Sequence, residues 1–174
     1  MMDSGNTAAP PADEQTDEKT VRDGQYLSFT LGGEDYGVDI LKVKEIRGWE
    51  TVRELPDTPE FVKGVLDLRG IIVPIIDLRI RFRLAECEYT PTTVIIVLAV
   101  EYEGDQRIMG AVVDGVSDVL DVKGKDIRKA PNLGTNINTR YIRGMVTLDE
   151  RMVILLDADK LLNPQELGLP EELD

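Results

Sequence analysis

The sequence predicts an all-β protein built as two related β-barrel lobes, and three observations predict it. Short β-branched runs are separated by Gly, Asp, Asn and Pro, the texture of a barrel or sandwich rather than of a helical bundle. Hydrophobic content of 42% comes with only 5% aromatics, so the core is drawn from Val, Ile and Leu. The chain also repeats itself: residues 62–78, shifted by 80, lie without gaps on residues 142–158. In that alignment Gly64 meets Gly144, Leu68 meets Leu148, Val73 meets Val153 and Asp77 meets Asp157. Upstream, "YGVDILKVKEI" resembles "MGAVVDGVSDV", with Gly37 on Gly110 and Val43 on Val116, and "VRELP" resembles "IRKAP". Three blocks matched in the same order point to duplication, and two like lobes are its consequence.

Residues 1–23 are polar and acidic and carry Pro10 and Pro11; they are expected to form a disordered tail. Residues 24–174 are then the folded unit, with intertwined lobes over roughly 36–92 and 93–156, closed by the terminal segments. "YLSFTL" alternates as a strand does, and Gly32 and Gly33 turn it into "EDYGVDI". In "ILKVKEIRG" the spacing of Ile40, Val43 and Ile46 by three predicts a short helical turn ending at Gly48. "FVKGVLDL" and "IIVPIIDL" flank Arg69 and Gly70 as a hairpin. Pro74 has no N–H to give a ladder, which places its strand at an edge or at a bulge. The second copy has Asp149 and Glu150 at the corner and Ile154 in place of the proline. The runs "TTVIIVLAV", "QRIMGAVVDGV", "YIRGMVTL" and "RMVILLDA" supply further strands. "DADKLLNPQELGL" reads as helical, with Pro164 suited to the first position of a last short helix.

Charge and missing residue types exclude several functions. With 20 Lys+Arg against 33 Asp+Glu the net charge is -13, which repels phosphate backbones and anionic headgroups and argues against nucleic-acid or direct membrane binding. The chain contains no histidine, which removes the usual metal ligand, the usual general base and any phosphohistidine. The single cysteine, Cys87, has no partner within the chain and reads as incidental, in keeping with a reducing compartment. No phosphate-binding glycine loop, nucleophile elbow or EF-hand spacing occurs. The N-terminus has no apolar signal region, and no run approaches the length of a membrane span, so a cytoplasmic protein is expected. Asp77 and Asp157 are a symmetric carboxylate pair, but each ends an apolar strand, where an aspartate caps the following turn.

Four stretches, "YLSFTLGGEDYGVDILKVKEIRGW", "TPEFVKGVLDLRGIIVPIIDLRIRF", "GAVVDGVSDVL" and "YIRGMVTLDERMVILLDADKLL", resemble the CheW family of chemotaxis coupling proteins, from about Gln25 to Leu162. The resemblance implies two SH3-like five-stranded β-barrels packed side by side, with short helices and a C-terminal helix. It implies an adaptor and no enzyme: a protein without cofactor or metal, monomeric when free. Its partners would be the regulatory domain of a CheA-type histidine kinase and the cytoplasmic tip of methyl-accepting chemoreceptors. Through them it would be recruited to membrane receptor arrays. The family's receptor helix docks in an apolar groove between the lobes. The residues carried over for that contact are Arg69 of the Leu-Arg-Gly corner, Glu45 of the expected helical turn, Val43 and Gly64. Ile46 and Val52 are the candidates for kinase contact. The family often has asparagine where this chain has Asp67, a carboxylate placed to compete for Arg69. A regulatory module of a CheA-type kinase is the alternative reading, and it would need an ATP-binding motif and a phospho-acceptor histidine elsewhere. A small carboxylate enzyme is the third.

Overall fold

The computed structural model describes residues 22–84, 88–129 and 137–170; the acidic tail expected over residues 1–23 lies outside them up to residue 21, as does Cys87. Strands β1 (Gly24–Leu31) and β2 (Glu34–Asp39) form the first hairpin. Gly32 and Gly33 have φ of 58° and 83°, the left-handed pair that a two-residue hairpin turn of matching twist requires. Asp39 accepts a bond from the Leu41 N–H and holds a three-residue 3₁₀ turn, Ile40–Lys42. Strand β3 (Val43–Gly48) follows at once. The helical turn expected up to Gly48 is therefore confined to its first three residues. From Val43 the chain alternates half-buried and exposed side chains and pairs antiparallel with a central strand; Val and Ile favour that pleated surface, and the spacing by three is incidental.

The hairpin of β4 (Val62–Leu68) and β5 (Ile71–Asp77) forms as expected around Arg69 and Gly70, and a helical turn, Leu78–Arg81, follows it. The remaining strands are β6 (Val94–Tyr102), β7 (Asp105–Val113), β8 (Gly115–Val122), β9 (Ile142–Leu148) and β10 (Arg151–Leu156). The expected C-terminal helix is reduced to one turn, Ala158–Leu161. Beyond it Asn163 accepts from the N–H groups of Gln165 and Glu166 around Pro164 and sustains only a further turn.

Two five-stranded sheets result, ordered β3-β6-β7-β5-β4 and β8-β1-β2-β10-β9. The lobes do not divide near residue 92. The hairpin β6–β7 completes the first lobe, and β1–β2 completes the second with β8, β9 and β10. Each hairpin hands the chain to a strand of the other lobe, so the halves of the repeat are exchanged. The 80-residue shift survives in space: Ile75 faces Gly110 in the parallel pair of one lobe, and Leu155 faces Gly37 in that of the other. Each barrel is closed by one isolated bridge, Arg53 to Val65 and Arg128 to Met145, and these too are repeat equivalents.

Strand alternation divides the apolar side chains between three cores. Leu66, Leu68, Val73, Ile75, Val97 and Val112 fill the first barrel, and their counterparts Val146, Val153 and Leu155 fill the second with Tyr26 and Val122. The opposite faces, including Leu27, Phe29, Ile76, Ile96, Leu98 and Leu156, meet in one core shared by both lobes.

Pro74 is neither at an edge nor at a bulge. Strand β5 lies between β4 and β7, and the β4–β5 irregularity falls between Val62 and Gly64. Val65, opposite Pro74, directs both its backbone groups to Arg53. Alternation of the antiparallel ladder then points the proline nitrogen away from β4 and toward β7. The parallel ladder to β7 begins only at Ile75, so no donor is needed there. In the second lobe, where Ile154 replaces the proline, the ladder starts two residues earlier, at Val153.

Candidate functional site

Strand β3 and the β4–β5 turn bring Glu45 and Arg69 together. Arg69 and Gly70 have φ of 53° and 87°, again the left-handed pair of a tight hairpin turn. The Gly70 N–H donates to Asp67 Oδ1 at 2.9 Å, so Asp67 holds the turn and is not the carboxylate that engages Arg69. Arg69 Nη2 instead donates to Glu45 Oε1 at 2.5 Å, while 76% of the Arg69 side chain stays exposed. Arg47 Nη1 donates to the other oxygen, Oε2, at 3.0 Å, and Arg47 Nη2 reaches Glu50 at 2.8 Å. Hydrogen bonds from Arg47 first, and then from Arg69, hold the Glu45 carboxyl below its ordinary pKa.

The other expected site residues fall in different settings. Val43 is half-buried at the start of β3 and packs against the shared core. Gly64 is buried with φ of 145°, and a Cβ there would lie 2.1 Å from the Arg53 carbonyl oxygen. It contributes by letting the closing segment approach β4, not by surface contact. Ile46 is exposed on β3, an edge strand of its sheet, whereas Val52 is turned in against the first barrel's core.

Beside Arg69 lies a groove whose lining residues the sequence reading did not name. Ile71 is 52% exposed, and a groove of ≈ 370 Å³ runs from it past Ile72, Pro74, Ile108 and Met109 to Pro164, Leu169 and Pro170. Its two walls are β5 and β7, which part where the ladder stops, and the segment trailing the second lobe. The groove therefore exists because of Pro74, and Pro74 facing Ile154 in the repeat was its signal in the sequence. Leu41, at 85% exposure on the 3₁₀ turn between the lobes, is a second apolar side chain that the sequence reading did not single out.

Asp77 and Asp157 do cap the turns that follow them, accepting from the N–H groups of Arg79 and Lys160. Both oxygens of buried Asp77 also receive the forked Arg79 guanidinium at 3.0 Å, a two-pronged arrangement that fixes the orientation of the carboxyl group. Among the described residues no group of His, Cys, Asp and Glu is disposed to hold a metal ion. No helix among them is long and apolar enough to cross a membrane.

Comparison with known proteins places these features in a wider set. The CheW-like domain family matches residues 25–166. The chain is 49% identical over 149 residues to a chemotaxis protein CheW of Klebsiella aerogenes, covering 86% of this chain and 87% of that one. It is 33% identical over 144 residues to a probable chemotaxis protein CheW of Rhizobium etli, covering 83% and 90%. The crystal structure of the scaffolding protein TtCheW from Thermoanaerobacter tengcongensis superimposes with a TM-score of 0.69 at 31% identity, covering 79% of this chain and 86% of that one.

Proposed function

The chain belongs to the CheW-like domain family, a family of scaffolds and chemotaxis coupling adaptors, and from that premise we propose that it joins methyl-accepting chemoreceptors to a CheA-type histidine kinase. The observation that carries the reading is the open, mainly apolar groove, with Gln106 and Arg107 as its polar lining and an exposed arginine at its rim. An amphipathic receptor-tip helix gains about 25 cal/mol for each Å² of apolar surface it buries there, less the cost of association. Arg69 offers the free part of its guanidinium to a carboxylate or a helix-end carbonyl and sets the register of the helix. Glu45 and Val43 hold that corner from β3, and Gly64 holds it from below.

The kinase's regulatory domain takes the opposite role. Ile46 on the exposed edge strand β3, with Val52 behind it, is the contact proposed for a like β-barrel. In this reading the protein has no catalytic residue and needs no cofactor or metal. It is monomeric when free, binds neither nucleic acid nor lipid, and works in the cytoplasm at membrane arrays through its partners.

An NMR titration of the labelled chain, first with the isolated kinase regulatory domain and then with a receptor-tip fragment, tests the assignment. Two saturable sets of shifts are expected, the first around Ile46 and the second along the groove from Arg69 to Met109. Arg69→Glu is expected to abolish the second set while leaving the first and the melting temperature close to wild type. No shifts with either partner would overturn the adaptor reading, and a large fall in melting temperature would show Arg69 to be structural.

A further inference from the structure

The second lobe carries a cleft of ≈ 970 Å³ that the coupling role does not use, and its chemistry runs against that of the whole chain. Six cations line it, Arg22, Arg128, Lys129, Arg140, Arg143 and Lys160, against the carboxylates of Asp23, Asp39 and Asp157. The chain as a whole has a net charge of -13. Arg143 reaches Asp39 only at 3.7 Å, and Arg140 pairs with Glu166. Arg22, Arg128, Lys129 and Lys160 form no ion pair with a described residue. Four exposed cations gathered at one concave site attract an anionic ligand.

The repeat says what stands there in the other lobe. Around Asp77, the counterpart of Asp157, the equivalent space is filled by the segment that leads into β6. Tyr89 stacks on Trp49 with ring centroids 4.1 Å apart, and its hydroxyl donates to Asp77 Oδ2 at 2.9 Å. The Trp49 N–H donates to the Thr93 carbonyl at 3.1 Å. In the second lobe strand register puts Val122, opposite Gly24, in the position that Trp49 takes opposite Thr93, and two residues on the Gly124 N–H donates to Asp23 Oδ1 at 2.6 Å. The approach to β1 thus starts along the same path as the approach to β6. With the smaller valine in place of the indole, the space beyond is left open.

We propose that the chain's own acidic N-terminal segment, Asp13 to Glu18, lies in this cationic cleft as the counterpart of the Tyr89 segment. That stretch holds Asp13, Glu14, Asp17 and Glu18, carboxylates to match the unpaired cations. It enters at Arg22 on the cleft's rim. From Arg22 back to Asp13 is nine residues, which reach about 30 Å when extended. The segment is held by charge, so salt releases it.

The test uses the full chain with Cys87→Ser and Ala12→Cys, a nitroxide attached at residue 12, and amide signals read in a ¹⁵N-labelled sample. At low salt the amides of Leu41, Ile142 and Arg143 are expected to lose most of their intensity, while those of the Arg69 corner keep theirs. The intensity is expected to return at about 1 M salt, where the Debye length falls to about 3 Å, and in the double variant Arg143→Glu, Lys160→Glu. Loss of intensity spread over both lobes, or confined to another face, overturns the proposal. So does loss that appears only when a labelled copy is mixed with an unlabelled-tail copy, which would assign the cleft to the tail of a second chain. Survival of the intensity loss in both high salt and the double variant would show a contact not held by these charges, and overturns it too.

Discussion

Glu45 divides its two carboxylate oxygens between Arg69 and Arg47, and the behaviour of the corner follows from that division. Because the folded carboxyl sits below its ordinary value, the pairing contributes above the unfolded-state value and is lost only as pH falls through the lower, folded one. An NMR titration of the Glu45 side-chain carboxyl is expected to show a midpoint below the ordinary 4.5. Arg47→Met should raise that midpoint more than Arg69→Met does, because the bond from Arg47 is the larger cause. Gly64 is the opposite kind of residue, buried and without chemistry. Gly64→Ala drives a Cβ into the Arg53 carbonyl and asks alanine for φ of 145°; about 3 kcal/mol or more of stability is expected to go. Chemical denaturation measures it, and any loss of receptor coupling in this variant should track the loss of fold. Family resemblance named both residues, but only packing separates the one that offers a charge from the one that makes room.

Among the elements, the parallel pair β5–β7 is the informative one. Its counterpart β10–β2 pairs from Val153 onward, whereas Pro74 delays pairing to Ile75 and leaves a groove. Pro74→Ile, which copies the second repeat, restores an N–H facing β7. The two strands are then expected to pair two residues further. The variant should keep or gain stability, protect its residue 74 amide from hydrogen exchange, and bind a receptor-tip helix more weakly. Unchanged binding with a lengthened ladder would separate the groove from the receptor. The proline itself was legible in the sequence, but its place in the sheet was not. A missing donor allows an edge, a bulge or a ladder's end, and only strand order distinguishes them. In "ILKVKEIRG" the three-residue spacing was real, yet the strand won over the helix because β6 offered a partner. Local periodicity carries no information about such a partner.

At the scale of the molecule the lobes are one body, because the exchanged hairpins put the strands of both into a single shared core. Leu98, 3% exposed in that core, pairs with Met109 in the first lobe's sheet. Leu98→Ala is expected to cost about 2–5 kcal/mol. Calorimetry should show one transition for both lobes, shifted down as a unit; two separated transitions would mean that the lobes fold independently. The Arg81 guanidinium lies over the rings of Phe61 and Tyr141, 4.9 and 5.5 Å from their centroids. Those two rings are equivalents in the repeat, so one unrepeated arginine bridges them.

By itself the sequence determined the strand content, the duplication and the hairpin with Arg69 at its tip, because hydrophobic period, turn residues and repeated blocks are local or can be compared along a line. Its lack of histidine and its acidic balance already turned the reading from catalysis toward binding. The exchange of hairpins between lobes, the partner of Arg69, the opening of the groove and the gathering of cations in an acidic chain were decided only in three dimensions. Each of these depends on residues far apart in sequence, Glu45 with Arg69 or Asp39 with Arg143. Strand order and packing set their distance, and no one-dimensional pattern encodes it.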